Sequence, residues 1–400
     1  MAQRAQPVRG MRDILPPQGE LRRRLANAIL EVYTGYGFEV IETPALEDLE
    51  VLLGSGGGEN EKLIFKVLKR GERLGEELAR GGDLADAGLR FDLTVPLARF
   101  VANHLNELPV PFKVAHLAPV WRGERPARGR FREFVQCDID IVGEPSVAAE
   151  VELCSATLDA LHRTGVSGCT VKLNDRRLLR AVAENYLGPL EDPAAVFIEL
   201  DKLERDGADA VAKQLADFDR GAVRRLLEWL EEGDPSAGPP EIASALEATL
   251  SALSAQGYSA AFDPALVRGI GYYTGQIFEV RRADIPYSLA GGGRYDGMTE
   301  RFGAPALPMC GFSIGFERIA DLVDPNLLGP APHRIAVTCA SDEDLLRSLA
   351  AAHAQRTRGE NVVVSVLRRA RNYRKQQQDL EKLGYSEILD SKEFDKSVGP

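Results

Sequence analysis

The spacing of apolar residues changes along the chain, and each change predicts an element. From Leu21 to Tyr36 apolar positions recur every three or four residues (Leu21, Leu25, Ala28, Ile29, Val32), with Gly35 and Gly37 at the end, which predicts an amphipathic helix. Phe38 to Thr43 reads as a strand stopped by Pro44, and Lys62 to Leu68 as another. The charged, glycine-rich stretch from Gly71 to Gly88 predicts a mobile segment. Pro96 rules out a continuous strand around it, and a helix is expected from Leu97. Phe112 to Trp121 is mostly apolar, whereas Phe131 to Val142 alternates. There Phe134, Gln136, Asp138 and Asp140 share one face, and Val135, Cys137, Ile139 and Ile141 the other. The turn between them, Glu124 to Arg130, carries Arg125, Arg128 and Arg130 with Pro126 and Gly129.

Further on, Ser146 to Thr164 predicts a helix, Thr170 to Asn174 a strand, and Arg176 to about Gly257 an all-helical region. A hinge at Pro330-Ala-Pro332 opens a last region that alternates strand and helix. Strands are expected at Arg334–Thr338, Asn361–Val366 and Glu387–Leu389, helices at Asp342–Arg358 and Asn372–Leu383, and a frayed tail at Lys392–Pro400. The fold class expected is α+β.

Composition narrows the setting. A chain of 400 residues supports two or three domains with real cores. The formal net charge of −11 gives no global attraction to nucleic acid, so any such contact needs a local basic patch. No apolar run approaches the ~20 residues that span a bilayer. The first twelve residues lack the apolar stretch of a secretory signal. Five scattered cysteines (Cys137, Cys154, Cys169, Cys310, Cys339) predict neither a disulfide framework nor a protein-only metal site, and fit a reducing cytoplasm.

The alternating strand carries the chemistry. Carboxylates and a glutamine on one face, backed by apolar residues, describe a sheet that lines a polar pocket. Arginines at its turn suit phosphate, because the planar guanidinium donates two parallel hydrogen bonds and stays charged. On these residues alone, a solvated basic turn on a half-exposed sheet is an equal reading.

The motifs around this hairpin resemble a known family. Arg122-Gly-Glu124, a loop, then Arg130-Phe-Arg-Glu-Phe134 resembles the second signature motif of class II aminoacyl-tRNA synthetases, and Phe131 to Gly143 resembles its histidyl-tRNA synthetase form. The helix, strand and Pro44 near the start resemble the first motif, and Gly311-Phe-Ser-Ile-Gly-Phe-Glu-Arg318 the third. Leu266-Val-Arg-Gly-Ile-Gly-Tyr-Tyr-Thr-Gly-Gln-Ile-Phe-Glu279 and Ser288-Leu-Ala-Gly-Gly-Gly-Arg-Tyr-Asp-Gly297 resemble the two histidine-specific signatures. Gly271 stands where the family usually has Asp.

The resemblance implies an antiparallel-sheet catalytic core in two parts, residues 1–175 and 258–329. Residues 176–257 would be a helical insertion and 330–400 a shortened α/β anticodon-binding-like domain. It implies a homodimer built on the first motif, with L-histidine, ATP with Mg²⁺ and histidine tRNA as partners, no prosthetic group and no membrane. Arg122 and Arg268 would stabilise charge at the α-phosphate, and Arg318 would hold the γ-phosphate. Phe134 would stack on adenine and Glu124 read its amino group, with Arg130 completing the ATP site. Asp92, Thr94 and Gln136 would hold the substrate ammonium, and Asp140, Tyr272 and Tyr273 its imidazole. Arg125 and Arg128 would meet the tRNA acceptor stem.

Two other readings stay open. A paralogue that activates an amino acid for a non-tRNA acceptor fits the short C-terminal region. The non-catalytic regulatory subunit of ATP phosphoribosyltransferase resembles the family too, but often lacks the arginines found here.

Overall fold

A computed structural model describes residues 5–53, 62–126, 130–269, 271–357 and 361–398. The chain folds as two compact units, one of residues 26–323 with the segment up to Arg12, the other of residues 13–25 and 324–400.

The larger unit is organised by an eight-stranded sheet. Its strands are β1 (Glu39–Val40), β5 (Phe112–Trp121), β6 (Glu133–Val142), β7 (Cys169–Asp175), β8 (Ser259–Phe262), β9 (Gln276–Arg282), β10 (Ala290–Arg294) and β11 (Met309–Ile314). Their order is β1-β5-β6-β11-β10-β9-β7-β8. The outermost pairs, β1 with β5 and β7 with β8, are parallel, and the pairs between them are antiparallel.

Strands β5 and β6 form the predicted hairpin, with Trp121 opposite Glu133 and Phe112 opposite Val142. The apolar face of β6, Cys137, Ile139 and Ile141, is buried, as the alternation requires. The helix Ala148–Arg163 packs against β6, β10 and β11 on this sheet. A smaller antiparallel sheet joins β2 (Leu46–Asp48), β4 (Ala85–Leu89) and β3 (Lys66–Leu68), in that order.

Three expectations need correction here. The strand predicted over Phe38–Thr43 is paired only at Glu39 and Val40, because its end is drawn elsewhere. Arg90 Nη1 donates to the carbonyls of Thr43 and Pro44, at 2.7 and 3.3 Å. The segment 71–88 is not a mobile stretch. It forms a helix, Glu72–Arg80, closed by Gly81 in the left-handed region, and then strand β4. Arg80 pairs with Glu76 (3.7 Å) and Glu77 (3.2 Å) at helical spacing, and Lys69, before the helix, pairs with Glu77 at 3.4 Å. The helix expected from Leu97 begins at Thr94, because Asp92 Oδ1 accepts the Val95 N–H at 3.1 Å.

The region after β7 is helical as predicted, with helices Arg176–Leu187, Pro193–Leu200, Leu203–Asp206, Ala208–Gln214, Arg220–Glu232 and Pro240–Ala255. Asp175, Asp192 and Asp219 each cap the helix that follows by accepting a backbone N–H.

The smaller unit carries a parallel sheet with β12 (His333–Cys339) between β13 (Val362–Arg368) and β14 (Glu387–Asp390). The expected frayed tail is a helix, Ser391–Val398. Asp390 Oδ1 accepts the N–H groups of Lys392 and Glu393, both at 2.9 Å, and Phe394 is fully buried with Ile335, Val337, Cys339, Ala352 and Val364. Two apolar residues four apart, Phe394 and Val398, in an otherwise polar octapeptide leave too little periodicity to read, yet Phe394 lies in this core.

Candidate functional site

The polar face of β6 lies between arginines from three other segments, and the site grows outward from it. Asp138 and Asp140 stand two residues apart on β6, 5% exposed each, and Gln136 precedes them. Gln136 donates to Asp138 Oδ2 at 3.0 Å and accepts from Arg122 Nη2 at 3.4 Å. Arg122 follows β5 directly, so the hairpin register sets it beside this face. Its Nε donates to the Phe91 carbonyl at 2.9 Å, and its guanidinium lies 5.0 Å from the Phe134 ring centre.

The floor beside these acids is glycine by necessity. Gly311 on β11 is opposite Asp140, and a Cβ there would lie 1.8 Å from Asp140 Oδ1. Gly293 on β10 is opposite Gly311, and a Cβ there would crowd Tyr273 at 2.8 Å. The Tyr295 hydroxyl donates to Asp140 Oδ1 at 2.5 Å. Tyr272 sits edge-on to both Tyr295 and Tyr273, with ring centres 6.0 and 5.0 Å away, and faces Thr94. Tyr273 in turn faces the Arg268 guanidinium, whose Nη1 donates to Glu279 Oε1 at 2.5 Å. Arg268 Nε is buried with no hydrogen-bond partner.

Electrostatically the pocket is acidic and unbalanced. Burial pushes Asp92 up to about 6, against the Val95 N–H and Arg122, which hold it down. Burial pushes Asp138 up to about 7; the Ser313 hydroxyl and Gln136 oppose this and the charge of Asp92 adds to it. Asp140 is raised well above the carboxylate range by burial and then by Asp138, with Tyr295 opposing. Three buried carboxyls that repel one another are stabilised by an incoming cation.

One connected network therefore holds Asp92, Thr94, Gln136, Asp140, Tyr272 and Tyr273 with Arg122, Phe134 and Arg268. Arg318 is exposed on the helix Phe316–Ala320 after β11, within electrostatic reach of Glu279 and Arg268. It donates to the Ser288 carbonyl at 2.5 Å and lies 5.2 Å from the Tyr287 ring centre. Glu124 and Arg130 pair with each other across the turn, away from the acidic floor. Arg125 is exposed, and Arg128 lies outside the described residues. Gly271 is exposed beside Tyr272.

Three participants were missed from the sequence. Asp138 shares the alternating face with Gln136 and Asp140, so the pattern already contained it. Tyr295 and Glu279 stand inside the two signature segments but were given no role, because only register across β9, β10 and β11 brings them to the site.

A sheet that sets arginines beside a buried carboxylate floor has the chemistry to bind a polyphosphate next to a cationic small molecule. A family model described as Histidyl-tRNA synthetase matches residues 10–319. The histidine–tRNA ligase of Leifsonia xyli subsp. xyli is 44% identical over 359 residues, covering 82% of this chain and 83% of that protein. The crystal structure of histidyl-tRNA synthetase from Nostoc sp. PCC 7120 superposes with a TM-score of 0.74 at 26% identity, over 96% of this chain and 90% of that one. A Bacillus halodurans structure, described as an ATP phosphoribosyltransferase regulatory subunit/histidyl-tRNA synthetase, shares the fold with a TM-score of 0.77 at 22% identity, over 98% of this chain and 99% of that one. The chain belongs to the histidyl-tRNA synthetase family.

Proposed function

We propose that this chain activates L-histidine with ATP to histidyl-adenylate and then transfers the histidyl group to the 3′ end of histidine tRNA. The observation that carries the reading is the acidic floor joined through Gln136 to Arg122 and through three tyrosines to Arg268. Such a floor fits the cationic amino acid, and the arginines fit the phosphates.

In this reading Asp92, Thr94 and Gln136 hold the ammonium of histidine. Asp140 accepts a hydrogen bond from its imidazole, with Tyr272 and Tyr273 packed beside the ring. ATP binds as its magnesium complex. The histidine carboxylate attacks the α-phosphorus in line, a new P–O bond forms, the α–β bridge breaks, and pyrophosphate leaves with magnesium. Arg122 and Arg268 offset the charge that grows on the α-phosphate oxygens, where fixed donors in a dry site act most strongly. The unpartnered Arg268 Nε is a donor ready for such an oxygen. Arg318 takes the γ-phosphate, Phe134 stacks on adenine, and Glu124 and Arg130 close over the nucleotide. The terminal tRNA hydroxyl then attacks the acyl carbonyl and AMP departs, with Arg125 and Arg128 meeting the acceptor stem. The working particle is a cytoplasmic homodimer whose interface includes residues 38–44.

Histidine-dependent ATP–pyrophosphate exchange, followed in the same preparation by charging of histidine tRNA, tests the reading. Both activities are expected. Exchange without charging would mean an acceptor other than tRNA, and no exchange with any amino acid would overturn the assignment.

A further inference from the structure

Arg268 is wired to the helical segment that follows β7. Its Nη1 donates to Glu279 Oε1 at 2.5 Å. The other oxygen of Glu279 accepts from Arg281 Nε at 3.1 Å. The two terminal nitrogens of Arg281 then bond both oxygens of Glu204, at 2.7 and 2.8 Å. Glu204 sits on the short helix Leu203–Asp206. The result is a four-member chain of alternating charge, from the helical segment through β9 to the arginine of the site.

The same segment grips the backbone of Arg268. Its carbonyl accepts from Arg176 Nη1 at 2.8 Å, and the Arg176 guanidinium lies 4.0 Å from the ring centre of Phe197 on the helix Pro193–Leu200. The carboxylate of Asp201, one residue past that helix, packs on Gly269, where a Cβ would lie 3.0 Å from Oδ2. The Arg268 guanidinium itself lies on Gly291, opposite Glu279 in the sheet, where a Cβ would meet Nη2 at 2.5 Å. Arg268 is thus fixed from below by glycine, from the side by Glu279 and from behind by the helical segment.

Stability does not explain the outer half of this chain. The Glu204 side chain is 71% exposed and that of Arg281 35%, and exposed pairs contribute little to folding. Charge sharing does explain it. Glu279 divides its negative charge between two arginines. While Arg281 takes one oxygen, Glu279 holds Arg268 by a single hydrogen bond, and Arg268 Nε stays free for a phosphate beside the contact with Tyr273. Without Arg281, Glu279 could close on Arg268 with both oxygens.

We propose that Glu279, Arg281 and Glu204 are positioning residues for Arg268, through which the helical segment sets how much of that guanidinium is available to the substrate α-phosphate. The proposal rests on the reading of Arg268 as a phosphate-binding residue, and one set of variants separates the two. Arg281→Met, Glu204→Gln, their double variant and Arg268→Ala are compared by histidine-dependent ATP–pyrophosphate exchange, with histidine affinity measured by calorimetry without ATP.

Arg281→Met is expected to lower kcat about tenfold while the histidine Kd stays within about twofold, and Arg281→Lys to restore most of the loss. Glu204→Gln is expected to lower kcat about two- to threefold, and the double variant to match Arg281→Met, because the two act in series. Arg268→Ala is expected to abolish exchange. If it does, but Arg281→Met and Glu204→Gln keep full kcat, the positioning role is refuted and the reading of Arg268 stands. If Arg281→Met weakens histidine binding as much as it lowers kcat, the role is general structure and the proposal fails. If Arg268→Ala keeps full exchange, the reading of Arg268 itself fails.

Discussion

Two groups of buried charges lie on this sheet, and they are built oppositely. Arg294 and Glu150, 7% and 2% exposed, meet in a bidentate pair with both contacts at 2.7 Å. Arg294 spends its remaining donors on the Glu144 and Ser146 carbonyls and on Asp296. Charge there is matched and the hydrogen bonds are filled. Asp92, Asp138 and Asp140 are as deeply buried, yet the hydrogen-bond donors they meet are neutral, among them the Val95 N–H, the Ser313 hydroxyl, the Gln136 amide and the Tyr295 hydroxyl. The first group ties the helix Ala148–Arg163 to β10 and leaves nothing for a ligand. The second meets positive charge only at longer range, from Arg122 and Arg301, so a cationic ligand would supply its close partner.

The sharpest way to break this contrast is to unmatch the matched pair. Arg294→Met leaves Glu150 buried and alone, and should cost about 3–5 kcal/mol in denaturant unfolding. A loss under about 1 kcal/mol would mean the pair is not the staple described.

The acidic group should respond to pH with a definite sign. Asp92 and Asp138 are raised, to about 6 and about 7, above their unfolded values. Their stabilising contribution is therefore full below about pH 4 and is lost as pH rises through 6 and 7. For Asp138 the loss is on the order of 2–4 kcal/mol by pH 8. Urea unfolding of the unliganded protein between pH 5 and 8 should show stability falling, and histidine should recover more of it at pH 8 than at pH 5.

A smaller effect sharpens the ligand side. Asp140→Asn removes one charge-assisted hydrogen bond, so histidine activation should lose about 2 kcal/mol in kcat/KM for exchange. Unchanged exchange would remove the imidazole role from Asp140.

The sequence made much of this legible, for identifiable reasons. The β5–β6 hairpin and its polar face follow from a period of two, and the helices of 176–257 from a period near four. Arg122 was readable through the motif Arg122-Gly-Glu124 that the chain shares with its family. The misses have physical causes as well. Residues 71–88 looked too charged to order, but those charges pair at helical spacing. The helix Ser391–Val398 hid because only Phe394 and Val398 in it are apolar, too few to show a period. Tyr295 and Glu279 depend on strand register, which no local pattern encodes. Asp138 was visible on the right face, but its role depends on burial beside Asp92, two segments away in sequence.

The most direct measurement is thermal melting of the parent protein and Asp138→Asn at pH 8, each with and without saturating histidine. The variant should melt higher alone, because one buried charge without a close cationic partner is gone, and should gain less from histidine. A variant that melts lower alone yet gains as much from histidine would contradict the claim that the acidic floor is held in deficit for its ligand.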